Sequence, residues 1–416
     1  MFTVAFLGVT AGVQMSDRGL QAILLSAIQA SFAVGDSTIG ALQGLAGVLV
    51  GSAIAIPVAR LADRFPRRNV LLGLIAFWSS LTALSALAPS FPLFFIGRAA
   101  SGVTEFAMIP IVYSMIPDLA PERHRVMSNL GFAALMAAGA SAGFYYGEAI
   151  VDAAQALLPG AIEPWRKAYL LLAAAGLPLL ALGMATRDPP RHVTARDIGT
   201  GAALLPFLRE RWRAVGLFVG VAGSLMIAVQ ALNPLIALAL RRRFGAELGM
   251  IGHAMGWVTL ATSIGCLPVA GFLDAHLGRR FGVAARPIIM GCGAVAAIPC
   301  AALLLAADSV GHALWAVASF LFVTCTANAL VPTVLQDLTP ASLRARSFAI
   351  WSFVVSVFCA IGPMAAGLLS DFMFGGRLLT AIAVTAIPPL ILSALCAARS
   401  IAPSDGLRLA GDRARA

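Results

Sequence analysis

Apolar runs long enough to cross a bilayer, separated by short polar or basic stretches, make up most of the chain. A spanning helix needs about 20 predominantly apolar residues. Twelve such runs begin near residues 3, 38, 70, 92, 127, 166, 213, 250, 287, 312, 347 and 378. They predict an all-α membrane protein with twelve transmembrane helices. Small residues recur within them, as Gly40, Gly44, Gly47 and Gly51 in the second run and Gly139, Gly143 and Gly147 in the fifth. In lipid, helices associate by close packing rather than by hydrophobic drive, so these glycines predict helix contacts.

Composition removes the water-soluble alternatives. Of the 416 residues, 60% are hydrophobic and 12% charged, with a mean hydropathy of +0.89. Soluble domains carry about 25% charged residues, and so apolar a surface would aggregate in water. The first run extends from Phe2 to about Val34 with no basic segment before it. That is too long for the apolar core of a cleaved leader, so it is read as a first membrane helix.

The net charge of +10 comes from 28 Arg and one Lys, Lys167. Such an excess can serve nucleic-acid binding, but its placement speaks for topology, and no nucleic-acid partner is expected. With the N-terminus inside, the loops on the cytoplasmic side and the C-terminal tail hold 21 of the 29 basic residues. The outer side holds Arg166, Lys167, Arg241, Arg242, Arg243 and Arg377, while Arg18 and Arg98 lie inside the membrane. Positive charge resists translocation, so both termini are expected in the cytoplasm. The Arg-rich, Lys-poor composition points to a bacterial inner membrane. Arg241–Arg243 run against the rule, and the sequence offers no account of them.

The chain also repeats itself. Asp118-Leu-Ala-Pro121 after the fourth run is echoed by Asp337-Leu-Thr-Pro340 after the tenth, 219 residues on. Leu61-Ala-Asp63-Arg-Phe-Pro-Arg67-Arg68 after the second is echoed by Gly271-Phe-Leu273-Asp274-Ala-His-Leu-Gly278-Arg279-Arg280 after the eighth, 211 residues on and with one extra residue before its basic pair. Both offsets are near half the chain, as parallel six-helix repeats require. The expected organisation is a first bundle over 1–185, a cytoplasmic linker over 186–212, a second bundle over 213–397 and a tail over 398–416. The linker's Leu-Pro-Phe-Leu segment has the character of a short surface helix.

The segment Ala59-Arg-Leu61-Ala-Asp63-Arg64-Phe-Pro-Arg67-Arg68 resembles the cytoplasmic G-x-L-a-D-R-x-G-R-R signature of the major facilitator superfamily, with Ala59 and Pro66 where glycines are usual. Finer features resemble its spinster-like branch. These are Asp17-Arg18, Gly35-Asp36-Ser37, Phe77-Trp78-Ser79 with Thr82, Arg98-x3-Gly102-x2-Glu105, Ser114-x-Ile116-x-Asp118, Gly362-Pro363 and Ser370-Asp371. The resemblance implies two pseudo-symmetric six-helix halves and secondary transport by alternating access. It implies an amphipathic, anionic or lysolipid-like small organic substrate. The Asp-Arg and R-x3-G-x2-E elements also occur in anion:cation symporters of the superfamily, so an organic-acid importer is the alternative within it.

Four ionisable residues lie deep in apolar runs: Asp17, Arg18, Arg98 and Glu105. A charge at the bilayer centre costs roughly 2.5–3.5 kcal/mol on insertion scales and is usually functional. Arg98 and Glu105 are two helical turns apart, roughly 10 Å along one face. Asp17 and Arg18 diverge by about 100° around their helix. The structural reading is a pair of buried ion pairs joining two helices, though apolar replacements would hold them as well. In the functional reading an anionic substrate takes an Arg, and the deserted carboxylate binds a proton. The resemblance implies Asp17 and Glu105 as proton sites and Arg18 and Arg98 as substrate or switch residues. It further implies a cytoplasmic gate of Asp63, Arg64, Arg67, Arg68 and Asp118, in which a carboxylate engages a helix N-terminus and nearby Arg.

Weaker substrate candidates are Gln230 and Asn233 beside Pro234, and Asn328, because interrupted membrane helices often line sites. A packed kink explains them equally well. Tyr145 and Tyr146 suit an interfacial belt. The five histidines show no ligand spacing, the six cysteines read as small buried hydrophobes, and neither metal nor cofactor is expected. No GxxxxGK[ST] loop occurs. Gly139-Ala-Ser141-Ala-Gly143 matches GxSxG but lies within a helix, whereas a nucleophile elbow needs a strand-to-helix turn, so an enzyme is not expected. A non-transporting membrane sensor on the same fold is the competing class. The partners expected are the substrate, protons and the lipid bilayer, and the chain is expected to be a monomer.

Overall fold

Each apolar run forms a helix that starts within three residues of its expected position in the computed structural model, which describes residues 2–59, 61–119, 125–186, 204–339 and 343–401. In chain order these are α1 (Phe2–Phe32), α2 (Asp36–Ile54), α3 (Arg67–Ala86), α4 (Phe91–Leu119), α5 (Arg125–Tyr145) and α6 (Pro164–Met184). They continue as α7 (Trp212–Phe244), α8 (Leu248–Phe281), α9 (Ala285–Leu305), α10 (Val310–Leu338), α11 (Arg344–Phe372) and α12 (Leu378–Ile401). Among the described residues ten segments are long and apolar enough to cross a membrane, with a shorter apolar stretch, Leu130–Tyr145, in α5. The remaining helix, α1, carries Asp17 and Arg18. The Leu-Pro-Phe-Leu segment lies in a short helix, Leu204–Glu210, while linker residues 187–203 and tail residues 402–416 lie outside the described residues.

The helices gather into two compact units. The first comprises Met1–Asp197 and Ala237–Leu260, the second Ile198–Ile236 and Ala261–Ala416. In the first, Leu7 and Ala11 of α1, Ile75 of α3, Met108 and Val112 of α4 and Phe132 of α5 form one buried core. The glycines of α5 act as their spacing suggests. A Cβ at Gly139 would overlap the carbonyl of Gly12, and one at Gly143 the carbonyl of Ser16. The backbones of α1 and α5 therefore touch along the stretch that holds Asp17 and Arg18. A second close approach sets α2 against α4, where a Cβ at Gly51 would lie 2.8 Å from the Gly102 carbonyl carbon. That contact falls between Arg98 and Glu105. Two backbone-to-backbone contacts thus fix the two helix segments that carry the buried charges.

In the second unit, Phe218 and Val221 of α7 pack with Met290 of α9 and Val331 and Leu335 of α10. A Cβ at Gly362 of α11 would overlap the Ile227 carbonyl of α7. The α1–α5 contact of the first unit has its counterpart here in α7–α11, as a repeated bundle demands. Helix α7 is interrupted: one helical stretch ends at Leu232 and the next begins at Ile236. Pro234 lacks the N–H that a continuous helix would use.

One sequence reading needs correction. Among the cysteines only Cys266 is buried, and Cys292 is exposed. Cys292 lines an apolar cavity bordered by Val269, Ile288 and Phe322, where α8, α9 and α10 leave part of the α9 face uncovered. His253 stands near the start of α8, and its ring packs 4.5 Å from that of Tyr145. Tyr145 also meets Trp257 at 6.2 Å, so it belongs to an aromatic cluster of the first unit.

Substituting Gly139 with Val would force α1 and α5 apart. Overpacking of this kind costs about 1–3 kcal/mol, so Gly139→Val should lower the melting temperature in detergent by several degrees. Gly131→Ala, where nothing lies within 4 Å of the new methyl group, should melt like the parent.

Candidate functional site

The four deep charges pair crosswise between α1 and α4. Asp17 Oδ2 accepts from Arg98 Nη1 at 3.0 Å, and Arg18 Nε donates to Glu105 Oε2 at 2.5 Å. Each residue of the adjacent Asp-Arg dipeptide therefore takes a partner from one end of the two-turn interval on α4. The 100° divergence of neighbouring side chains makes this possible, since one points toward each end of the interval.

The pairs differ in their access to solvent. Asp17 is 0% exposed and Arg98 5%, whereas Arg18 is 40% exposed although Glu105 is only 3%. The Trp78 indole N–H of α3 also donates to Asp17 Oδ2, at 3.1 Å. The Arg98 guanidinium lies 5.3 Å from the Tyr169 ring centre, and that of Arg18 lies 5.3 Å from the Phe106 ring. Desolvated ion pairs depend on such extra partners, because burial removes the water that would otherwise stabilise each charge. Asp17–Arg98 is the closed half of the site. Arg18–Glu105 is the half whose cation an incoming anion can reach.

The residues expected at the gate separate. Arg67 Nη1 donates to Asp118 Oδ2 at 2.6 Å, tying the start of α3 to the end of α4. Arg68 Nε donates to the Gly183 carbonyl at 3.3 Å, and its Nη2 reaches the Met184 carbonyl, capping the last turn of α6. Arg64 is exposed at the end of the one-turn helix Leu61–Arg64. The side chains of Asp63 and Ser114 lie outside the described residues.

The second unit holds a matching cluster that the sequence reading passed over. Arg286 Nε donates to Asp274 Oδ1 at 3.1 Å, and its Nη1 bonds Asp337 Oδ2. Arg286 and Asp337 are 51 residues apart, as are Arg67 and Asp118. The signal was present: the 219-residue offset that relates Asp118 to Asp337 also carries Arg67 onto Arg286.

The Arg triplet also finds its role. Arg242 presents Nη1 and Nη2 to the two carboxylate oxygens of Asp36 at 2.7 and 2.8 Å, and Nη2 also reaches Gln29 Oε1 at 2.8 Å. Gln29 in turn donates to Asp36 at 2.9 Å, and Arg241 donates to Ser26 at 3.2 Å. This two-pronged fork is the strong geometry for a guanidinium and a carboxylate. It ties the arm beyond the α7 break to the α1–α2 turn within the first unit. Gln230, Asn233 and Asn328 are half-buried in the second unit. Gln230 and Asn233 flank the end of the first α7 stretch, and Asn328 closes the stretch Val310–Asn328 of α10.

The family model described as Major Facilitator Superfamily matches residues 7–245. An MFS-type efflux pump of Mycolicibacterium smegmatis is 24% identical over 381 residues, covering 88% of this chain and 84% of that protein. Protein spinster homolog 1 of Mus musculus is 31% identical over 191 residues, covering 44% of this chain and 34% of that protein. Among solved structures, a bacterial homologue of the human lysosomal transporter spinster, inward-facing and unoccupied, superposes with a TM-score of 0.79 at 20% identity. It covers 95% of this chain and 94% of its own.

The unequal burial of the pairs gives a stability test. Asp17→Ala strands the buried Arg98, a loss of about 3–5 kcal/mol for a broken buried pair. Glu105→Ala leaves Arg18 with access to water and should cost about 1.5–3 kcal/mol, in the range of a hydrogen bond to a charged group. Thermal melts of the two variants should rank in that order.

Proposed function

The chain belongs to the major facilitator superfamily as a spinster-like member, and from that premise we propose that it moves an anionic, amphipathic organic solute across the membrane, coupled to proton movement. Family membership makes it an integral membrane protein and a secondary transporter. The substrate class, proton coupling, monomeric state, bacterial inner-membrane setting and cytoplasmic termini are this proposal's own.

One observation carries the reading: of the four buried charges, Arg18 alone is substantially exposed while its partner Glu105 is not. A substrate carboxylate or phosphate approaching Arg18 competes directly with Glu105 for the guanidinium. Once Arg18 turns to the substrate, Glu105 is left as a carboxylate in an apolar bundle, where burial favours its neutral form. It then takes up a proton. When substrate leaves, Arg18 returns, the ion pair re-forms and the proton departs. Substrate and proton are linked because both alter the same pair, and the linkage acts equally in both directions. Asp17 is the second proton site, with Arg98 as its switch partner, and it changes state more slowly because Trp78 and Arg98 both hold it. Gln230, Asn233 and Asn328 supply polar contacts to the rest of the substrate. Asp63, Arg64, Arg67, Arg68 and Asp118 form the cytoplasmic gate, with the Arg67–Asp118 bond setting the ends of α3 and α4.

Proton uptake by the purified protein, followed while lysolipids, sphingoid bases and small organic anions are titrated in, tests this account. An anion should produce close to one proton taken up per molecule bound. Glu105→Gln should abolish that signal and lower gradient-driven uptake at least ten-fold while sparing exchange. A bound anion with no proton signal in the parent, or gradient-driven uptake unchanged in Glu105→Gln, overturns the coupling.

A further inference from the structure

Around the Asp17–Arg98 pair, four fully buried polar side chains find no hydrogen-bond partner among the described residues. They are the Gln14 amide, at both its atoms, and the hydroxyls of Thr82, Ser101 and Tyr169. Asp17 Oδ1 and Arg98 Nε are in the same condition. Each stands within about one helical turn of, or directly against, a residue of the pair or its indole partner. Gln14 stands three residues before Asp17 on α1, and Ser101 three residues after Arg98 on α4. Thr82 lies four residues beyond Trp78, whose indole bonds Asp17, and the Tyr169 ring lies against the Arg98 guanidinium. Four helices, α1, α3, α4 and α6, each contribute to one nest. Among the described residues, Gln43 and Trp165 of the first unit and Ser224 and Ser347 of the second also carry a buried polar atom without a partner.

More than nine-tenths of buried polar groups are normally satisfied, and each orphan calls for an explanation. Water explains a cluster, since a buried water binds two to four otherwise unpaired groups at once. An aromatic stack stands at one end of the nest. Phe94 packs 6.2 Å from Tyr169 and 5.6 Å from Trp165, and Phe32 packs 5.8 Å from Trp165. Arg166 covers Trp165 at 4.4 Å and donates to the Ala86 and Ala88 carbonyls, sealing that end.

We propose that α1, α3, α4 and α6 enclose a hydrated chamber on the Asp17 side of the site, capped by the Phe32–Phe94–Trp165 stack, with Tyr169 as the positioning residue that holds its water against Asp17. The role given to that water rests on the reading of Asp17 as a proton site. When Arg98 leaves the pair, a proton passes from the water cluster to Asp17 Oδ1, while Trp78 keeps its hydrogen bond to Oδ2. The other ionisable groups at the site are Arg18, Glu105 and the Tyr169 phenol. Arg18 and Glu105 form the substrate-facing pair, so the water meets the pair that the substrate does not.

Hydroxyl radicals made by X-ray pulses from bound water report the chamber directly in the full chain held in lipid nanodiscs. Tyr169 should be oxidised at a rate within about three-fold of the exposed Tyr146, while the buried Phe94 stays unmodified. Thr82→Val and Gln14→Leu should each cut Tyr169 oxidation at least five-fold. Tyr169 as inert as Phe94 overturns the chamber. In proteoliposomes, Tyr169→Phe should lower the Vmax of gradient-driven uptake at least five-fold, leaving KM within two-fold and exchange at equal pH unchanged. If Tyr169→Phe melts above the parent and transports normally, the hydroxyl was dry and the proposal fails. Where Tyr169→Phe does not fold, Thr82→Val carries the same transport test. Oxidation of Tyr169 in a parent that shows no proton signal upholds the chamber and removes only the coupling.

Discussion

Four charges summing to zero, three of them almost wholly buried within the helices, dominate this molecule. Each guanidinium and carboxylate of the α1–α4 site needs its counterpart within hydrogen-bond reach, and that need dictates the geometry around it. The helices must approach closely, which Gly139 and Gly143 allow on one side of α1 and Gly51 with Gly102 on one side of α4. The shared carboxylate oxygen of Asp17 must be held by more than one donor, which brings Trp78 of α3 into the site. The pairing must also be unequal. Asp17 and Arg98 are 0% and 5% exposed, whereas Arg18 is 40% exposed beside a buried Glu105.

The same logic recurs in duplicate at the helix ends. Arg67 with Asp118, and Arg286 with Asp274 and Asp337, place a guanidinium among carboxylates at equivalent points of the two units. The deep charges have no such echo. The second unit carries amides at its helix interruptions instead, Asn233 beside Pro234 and Asn328 shortly before Pro332. The repeat has kept its end-fastening charges in both copies and its buried charges in one, which divides the labour between the units chemically.

Much of this was legible in the sequence because the bilayer makes apolar length decisive. Where a segment must bury every backbone group in its own helix, twenty apolar residues can do little else, and the helix starts were readable to within three residues. The four deep charges were legible because they are rare in such runs. Their partners were not. Adjacency separates Asp17 from Arg18 in angle, and two turns separate Arg98 from Glu105 in height, so either pairing suits the spacing and only three-dimensional register decides. Arg242 was hidden for the opposite reason. Its partner Asp36 is 206 residues away, and a charge paired across that distance looks in sequence like a breach of the topology rule. Arg286 was hidden only by comparing the repeats through their aspartates rather than their arginines.

The arm beyond the α7 break has a consequence for how the molecule can be divided. Covalent order would cut the chain at its central linker. Packing places Ala237–Leu260 with the first compact unit and Ile198–Ile236 with the second. A fragment ending at the linker lacks a piece of its own unit, and the complementary fragment carries an apolar arm fitted to residues it does not possess. Two half-chains made separately would thus divide the residues of the first unit between them.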